Sequence, residues 1–153
     1  VFRIQGLDQK LFEKLIGRTD ETLAEVASDA RWQSQTLVPD RIEVRELEIG
    51  ETALLLNYDH QSADTPYRSR HAIFVGEQSR QSLDLNDEFP EAILNRLISL
   101  RAFNPSGEMV DADLAEGIAL RPIIARFFGN PEIAYLHAHA AKSGFYLARI
   151  IRE

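Results

Sequence analysis

Four histidines are the residues of this 153-residue chain whose type and spacing point most directly to chemistry. Imidazole has an unperturbed pKa near neutrality, so clustered histidines can transfer protons or bind a metal ion. His60 and His71 flank a polar segment, and His137 and His139 lie close together further along the chain. No motif fixes a reaction, so these spacings predict where a site lies and leave its activity open.

The segment Tyr135–His139 predicts a strand in which alternate side chains share one face. Two imidazoles two residues apart can ligate one metal ion, so His137 and His139 are the candidate metal ligands. The alternative is that both histidines only hydrogen-bond to neighbouring strands or to a ligand. A complete metal site needs a third ligand, and the candidates are His60, His71, Asp59, Asp64 and Asp111.

Arg149 bears on the choice between a metal and an anion. A tight turn after residue 140 would place Arg149 opposite Tyr135 or His137, on the same face of a hairpin. A cation there lowers the pKa of the histidines and favours a bound anion over a metal ion. A register slip of one residue would move Arg149 to the opposite face, so the sequence leaves both ligands open.

Residues 57–71 form a polar segment between two apolar runs, which predicts a loop held by buried strands. His71, at the entrance to the second run, is a candidate acid–base residue, together with His137 and His139. The alternative is a loop whose polar groups bond to its own backbone. The side chains that we expect to hold and orient a small anionic metabolite are Asn57, His60, Tyr67, Arg68, Arg101 and Lys142.

Arg101 has a second interpretation, because it lies within the apolar run Leu100–Phe103. A buried arginine is usually paired, and Asp111 and Asp113 follow in the predicted neighbouring strand. The sequence favours a structural ion pair with one of these aspartates over anion binding.

Together these groups predict a pocket for a small anion or metabolite, lined by histidine and arginine side chains. In one version of this prediction the histidines also act as acid–base catalysts. A non-catalytic sensor, or a structural or interaction domain, would use the same residues without turnover. A metal-dependent hydrolase built on the His137/His139 pair is a further alternative. The prediction requires no cofactor, and a divalent metal is compatible with it. Whether the chain is an enzyme stays open.

Composition narrows the partners and the compartment. A net charge of −7 repels phosphate backbones, so we expect no nucleic acid and no membrane as partner. The absence of cysteine excludes disulfides and thiolate ligands, and no apolar run reaches the roughly 18 residues of a membrane helix. We therefore expect a cytoplasmic protein. The Phe127-Phe128 pair could supply apolar surface for a homodimer, although core packing explains it equally well.

Hydrophobic periodicity predicts strands with interspersed helices. The clearest helix begins near Leu120, because residues 120, 123, 124, 127 and 128 are apolar, and it ends at Gly129. Further helices are predicted over residues 8–16, from Thr19 or Asp20 through Val26, and after Pro90. Strands are predicted at residues 2–6, 41–47, 52–58, 71–75, 98–103, 132–139 and 145–151, and a further strand that carries Asp111 and Asp113 returns from Met109 beside residues 98–103. The predicted fold class is α+β, a mixed, mainly antiparallel sheet with three or four helices packed on it, in one domain over residues 1–153.

Several stretches of the chain follow a known pattern, namely residues 54–61, 63–68, 71–75, 101–103, 109–113 and 135–144. In these stretches the chain resembles the DUF1203 family of uncharacterised single-domain bacterial proteins. The chain departs from the family pattern at Ala140, where a polar residue usually follows the second histidine, and at Ser143, where a proline usually precedes the glycine. The resemblance conveys no activity. It implies that the family signature includes His60, Tyr67, Arg68, His71, His137, His139 and Lys142.

Overall fold

The computed structural model describes residues 1–17, 31–33 and 35–153, and most of its regular structure is strand. The strands are β1 (Phe2–Gln5), β2 (Arg31–Gln33), β3 (Val38–Pro39), β4 (Glu46–Leu47), β5 (Thr52–Gln61), β6 (Ser69–Gly76), β7 (Asp84–Asn86), β8 (Leu97–Phe103), β9 (Met109–Glu116), β10 (Tyr135–Ala140) and β11 (Tyr146–Arg152). The α-helices are α1 (Glu91–Leu94) and α2 (Leu120–Phe128). Single 3-10 turns lie at Gln9–Leu11 and Gly117–Ala119.

The largest sheet has six strands in the order β7-β1-β11-β10-β8-β9, and every neighbouring pair is antiparallel. A second antiparallel sheet has the order β2-β5-β6, and β3 pairs with β4. Because side chains alternate along a strand, each sheet has two faces that can pack against different partners. The central position of β10 gives its side chains neighbours on both sides.

One face of the six-stranded sheet packs against the helices and forms the main core. The α2 helix forms because its apolar residues recur with helical spacing, and Pro122 lies in the first turn, where its missing N–H is not needed. This side of the core is built from alternate residues of the inner strands. Its members include Ile4, Ile98, Leu100, Leu120, Ile124, Phe127, Leu136, Ala138 and Ile150.

The opposite face of the six-stranded sheet meets the β5–β6 hairpin. Leu54 and Leu56 on β5, and Ile73 and Val75 on β6, are buried in a second apolar cluster with Tyr146 of β11. This cluster joins the two sheets, so the chain buries apolar side chains on both sides of the large sheet. Contacts across this joint decide where the side chains of β10 can lie.

The predicted fold class is wrong in its helices. Among the residues that the structure describes, α2 is the only helix of seven or more residues, and the architecture is mostly antiparallel sheet. Residues 8–16 form only a 3-10 turn and further turns, because the N–H groups of Leu11, Phe12 and Leu15 donate to carbonyl oxygens three residues back, which is the spacing of turns and not of an α-helix. Phe12 is buried from these turns while Leu11 stays 58% exposed. The helix after Pro90 ends at Leu94, because Leu97 begins β8. The helix predicted from Thr19 or Asp20 lies outside the described residues.

Several predicted strands have different lengths in the structure. Residues 41–47 form a strand only at Glu46–Leu47, because Val44 takes a left-handed backbone with φ of 52° and the Asp40 carboxylate accepts a bond from the Glu43 N–H. The short strand β7 lies in a stretch for which the sequence predicted no strand. The α2 helix and the hairpin of β10 and β11 are confirmed.

Two observations concern membrane-spanning helices and the Phe127-Phe128 pair. Within the described residues, no helix combines the length and apolar character needed to cross a membrane. Phe127 is buried and Phe128 packs against the main core, so this pair supplies little apolar surface for a homodimer.

Arg41 is a buried polar group at the joint between the two sheets, with 2% of its surface exposed. Its Nε donates to the carbonyl oxygen of Tyr146 at 2.8 Å, and its Nη1 donates to the carbonyl oxygen of Pro39. Burial, followed by the nearby charge of Arg96, lowers the pKa of Arg41 to about 10, so it stays charged at neutral pH. The guanidinium thereby ties the segment before β4 to the start of β11.

Arg41→Met should lower the free energy of unfolding by about 2–4 kcal/mol, because both carbonyl oxygens lose a charged donor inside the protein. Urea denaturation followed by circular dichroism measures this change. Arg70→Met is the matched control, because Arg70 is exposed, and it should change stability by less than about 0.5 kcal/mol. Equal stability of both variants would contradict a structural role for Arg41.

Candidate functional site

The structure brings all four histidines together between β10 of the large sheet and the β5–β6 hairpin. The His60 ring lies at the centre, with its centroid 4.9 Å from that of His139, 5.2 Å from His71 and 6.2 Å from His137. The two sequence segments that were singled out separately therefore form one site. We call these four residues the histidine cluster.

Strand alternation places His71 in the cluster. Leu54 and Leu56 of β5 and Ile73 of β6 point into the apolar joint, and the same face continues to the pair Tyr58 and His71, which are opposite each other. The apolar stripe that docks the hairpin thus leads directly to an imidazole. Docking of the hairpin by apolar burial fixes the position of this ring.

A register irregularity in the same hairpin places His60. After the pair Tyr58–His71, the next pair is Gln61 with Ser69, so Asp59 and His60 together face the single residue Arg70. This extra residue is a β-bulge, which bends a strand and redirects a side chain. The His60 ring stacks on Tyr146 with centroids 5.4 Å apart and an interplanar angle of 8°.

A second bulge, at the start of β11, places Tyr146. Ala138 pairs with Ala148 and His139 pairs with Tyr146, so Leu147 is the extra residue. Leu147 and Ala148 both belong to the core on the helix side, whereas Tyr146 belongs to the cluster on the hairpin side. Without the bulge Leu147 would be opposite His139, and the platform under His60 would be absent.

Hydrogen bonds orient two of the imidazoles. The Nδ1–H of His139 donates to the carbonyl oxygen of Gly144 at 2.9 Å, and since a carbonyl only accepts, the lone pair of this ring is on Nε2. The Nε2 of His60 lies 3.1 Å from the Oγ of Ser69. The remaining nitrogens of both rings, His60 Nδ1 and His139 Nε2, are buried and have no hydrogen-bond partner among the residues that the structure describes.

Unpartnered nitrogens are concentrated in this cluster. In the described part of the chain, six buried side-chain nitrogen or oxygen atoms have no partner, and four of them belong to the four histidines. Besides the two nitrogens named above, these are His71 Nδ1 and His137 Nδ1. Buried polar atoms are nearly always bonded, so such a group of exceptions indicates a ligand site.

Three of the rings have the geometry of a metal site. One nitrogen from each of His60, His71 and His139 lies within 4.8 Å of the other two. A tetrahedral zinc ion with bonds of about 2.0–2.1 Å places its nitrogen ligands about 3.3–3.4 Å apart, so each ring would move inward by roughly 1 Å or less. His137, one of the pair expected from the sequence, lies outside this group of three, and the hairpin residues supply the other ligands.

The surroundings of His60, His137 and His139 keep these three imidazoles neutral. Burial is the main cause that lowers the pKa of His60 to about 4, of His139 to about 3 and of His137 to about 2, and neighbouring histidines and Arg101 add to it. A neutral imidazole offers a lone pair, which is what a metal ligand needs, and it cannot hold an anion by charge. The cluster therefore suits a metal ion better than an anion bound to imidazolium.

Two arginines flank His137, one on each neighbouring strand. Arg101 of β8 and Arg149 of β11 are both opposite His137, so the register required for a cation beside the histidines is present. The Arg149 guanidinium lies 4.4 Å from the centre of the Tyr135 ring. A polar pocket of about 240 Å³ lies on the Arg149 side of His137. It is lined by Tyr58, His60, His137, Tyr146, Arg149 and residues 5–8.

The predicted ion pair between Arg101 and an aspartate does not form. Asp113 is opposite Leu100 and Asp111 is opposite Ala102, so both aspartates are on the other face of the sheet from Arg101. Asp113 instead pairs with Arg126 of α2 at 2.6 Å. Arg101 donates to Ser99 Oγ at 3.4 Å and makes no ion pair within the described residues.

The other candidate ligand-binding residues lie around the cluster and not in it. Asn57 and Tyr67 are exposed, and Arg68 is exposed and lies 3.8 Å from the Asp59 carboxylate. Lys142 is exposed in the turn between β10 and β11. Across the part of the chain that the structure covers, no hydrogen bond, ion pair or ring contact joins these four residues to the cluster.

Sequence reasoning missed Ser69 and Tyr146 as parts of the site. Ser69 could have been found, because it lies two residues before His71 and strand alternation puts both on one face. Tyr146 could not, because its place depends on the bulge at Leu147, for which the sequence has no local signal.

Comparison with known protein families finds a match over most of the chain. The model of a family described as "Protein of unknown function (DUF1203)" matches residues 37–152, a stretch that includes the whole histidine cluster, Ser69, Arg101 and Tyr146. No curated protein and no solved structure matches the chain significantly.

His137→Leu tests whether the cluster exists for stability. Because His137 Nδ1 is buried without a partner, an apolar side chain of similar size should raise the free energy of unfolding of the metal-free protein by about 1 kcal/mol. His139→Leu is the comparison, and it should be less stable than His137→Leu because the Gly144 carbonyl loses its donor. A drop of more than about 1 kcal/mol for His137→Leu in urea denaturation would favour a purely structural role.

Proposed function

We propose that this chain, which belongs to the family described as "Protein of unknown function (DUF1203)", binds a divalent transition-metal ion at His60, His71 and His139. The observation that carries the proposal is the convergence of three imidazole nitrogens within 4.8 Å of one another from two different sheets. A site of this kind needs no cysteine, and the chain has none. Imidazole ligands suit zinc, copper, iron and nickel.

The hydrogen bonds around the cluster support this assignment. Histidine ligands usually donate their second ring nitrogen to a neighbour, which fixes the tautomer and aims the lone pair at the metal. The Gly144 carbonyl does this for His139, and Ser69 Oγ is placed to do it for His60. The group of three contains no carboxylate, so magnesium and calcium, which prefer oxygen ligands, are poor candidates.

Three histidines leave one position of a tetrahedral metal for water or substrate. A metal-bound water is a strong nucleophile at neutral pH, and the metal also polarises a bound carbonyl or phosphoryl oxygen. Arg101, which has no carboxylate partner in the described part of the chain, supplies positive charge one strand away from His137. The reaction class that fits these groups is metal-assisted hydrolysis of an anionic substrate.

A metal-free anion pocket is the second candidate function. The observation in its favour is the pair of arginines on either side of His137, of which Arg101 makes no ion pair with any described residue. In this version Arg101 would hold the anion, and His71 or His137 would act as acid–base residue or only line the pocket of a sensor. A cytoplasmic location in bacteria, a homodimer and a role as an enzyme stay predictions under either function.

His71→Ala should weaken metal binding about 100-fold or more, because one of three ligands is lost and the other two cannot close the site. Isothermal titration of the chelator-treated full chain with Zn²⁺, and the visible absorption of the Co²⁺ form, measure this change. His137→Leu is the matched control and should bind one equivalent with nearly wild-type affinity. No stoichiometric binding to the wild-type chain would remove the metal proposal and favour the anion pocket.

Ser69→Ala should weaken Zn²⁺ binding about 10- to 100-fold, because His60 loses the group that orients its ring. The same titration measures the effect, and Ser62→Ala, on the exposed part of the neighbouring loop, provides the control. Equal affinities for the two variants would mean that Ser69 does not hold a ligand in place.

A further inference from the structure

A groove of about 1060 Å³ runs along the uncovered part of the large sheet beside the histidine cluster. Its walls come from the start of β8, from β9 and from the turn between β10 and β11. Its volume is in the range of pockets that hold small organic ligands. None of the residues that line it is needed for the proposed metal ligation, so metal binding does not account for the groove.

The charges of the groove walls favour an anion. Of its three cationic residues, Arg96 is already paired with Glu46 through two hydrogen bonds, but Arg101 and Lys142 form no ion pair within the described residues. None of the described residues that line the groove is an aspartate or glutamate, although the chain has 24 acidic residues. A half-buried guanidinium without a counter-ion is a ready partner for a carboxylate or phosphate.

The groove also has an apolar part. Leu97 and Leu114 line it and are 43% and 56% exposed, so two large apolar side chains offer contact surface inside the groove. Ala140 and Ala141 complete this wall. A ligand that fills the groove therefore needs an apolar body as well as an acid group.

Register connects the groove to the histidine cluster. Ser99 and Arg101 line the groove, and their cross-strand neighbours on β10 are His139 and His137. Leu114 is the neighbour of Ser99 on the other side. Directly opposed side chains on one sheet face have Cβ atoms about 4.5–5.5 Å apart, so an acid group on Arg101 lies next to the histidines while the apolar body extends toward Leu114.

We infer that the groove binds an amphipathic organic anion, with its carboxylate or phosphate on Arg101 and its apolar body on Leu97 and Leu114. The view that this anion is a substrate rests on the proposed metal centre, because the acid end of the ligand would be presented to that centre. The smaller pocket beside Tyr58 is a weaker candidate for an anion, because Asp8 lies in its wall.

The test uses hexanoate and hexyl phosphate as probes and hexylammonium as the charge-reversed comparison. Each is titrated into the full chain by calorimetry, once after chelator treatment and once with Zn²⁺ added. Methyl NMR of the wild-type chain reports the place of binding through Leu97 and Leu114, without any substitution. Arg101→Gln is compared with Arg149→Gln, a matched control because both arginines are opposite His137 but only Arg101 lines the groove.

We expect one equivalent of at least one anion to bind, the methyl signals of Leu97 and Leu114 to shift, and hexylammonium not to bind. Arg101→Gln should weaken binding about tenfold or more, and Arg149→Gln should change it by less than about twofold. The tighter of the two anions identifies the acid group. Failure of both anions to bind in both metal states, unshifted methyl signals, or wild-type affinity of a folded Arg101→Gln would overturn the inference.

The outcome is separable from that of the metal proposal. If Zn²⁺ fails to bind and the anions still bind through Arg101, the ligand class of the groove stands and the metal centre falls. If Zn²⁺ binds at the histidines and neither anion binds in either metal state, the inference about the groove falls alone.

Discussion

The enclosure of four imidazole rings between two sheets, with His137 and His139 buried and His60 and His71 half-buried, is the constraint on which this structure depends. A buried polar atom that loses its hydrogen bond to water costs about 1–3 kcal/mol, and each histidine of the cluster contributes one such nitrogen. Apolar packing of the β5–β6 hairpin against the large sheet, and the bonds made by Arg41 across the joint, offset this cost. Apolar side chains would fill the same space at a lower cost in folding free energy. The presence of four imidazole rings is therefore better explained by a bound ligand than by a contribution to stability.

Two β-bulges, each of which adds one residue to a strand, create the candidate site between the two sheets. The bulge after Tyr58 directs His60 toward β10, and the bulge at Leu147 lets Tyr146 support that ring. In both places the alternation of the strand is broken for one residue and then resumes, so the apolar faces on either side keep their burial. The cluster is thus built without disturbing either apolar cluster, and bulges are a device that proteins use beside functional sites.

The spacing of residues close together in the sequence predicted those parts of the structure that depend on such short-range spacing. The spacing of apolar residues was sufficient for α2 and for the final hairpin, and the alternation of Tyr135–His139 correctly placed three rings on one face. The contact between the rings of His60 and His139 could not be predicted, because it depends on how two sheets dock and the two residues are far apart in the sequence. The expected bond between Arg101 and an aspartate failed for a related reason, since the register of β8 and β9 decides the face of each side chain. The excess of predicted helices came from apolar residues near Phe12 that pack as turns.

The division of the cluster between two hairpins has a consequence for how the protein folds. β5 and β6 supply two imidazoles, β10 supplies the other two, and neither hairpin alone contains the three that converge. Contacts between segments so distant along the chain form late, after the cost in chain entropy of closing a long loop has been met. An ion that prefers the complete set would bind the docked state and not its precursors, so its concentration would shift the folding equilibrium toward that state. Metal supply and the yield of folded chain would then be linked through this one joint.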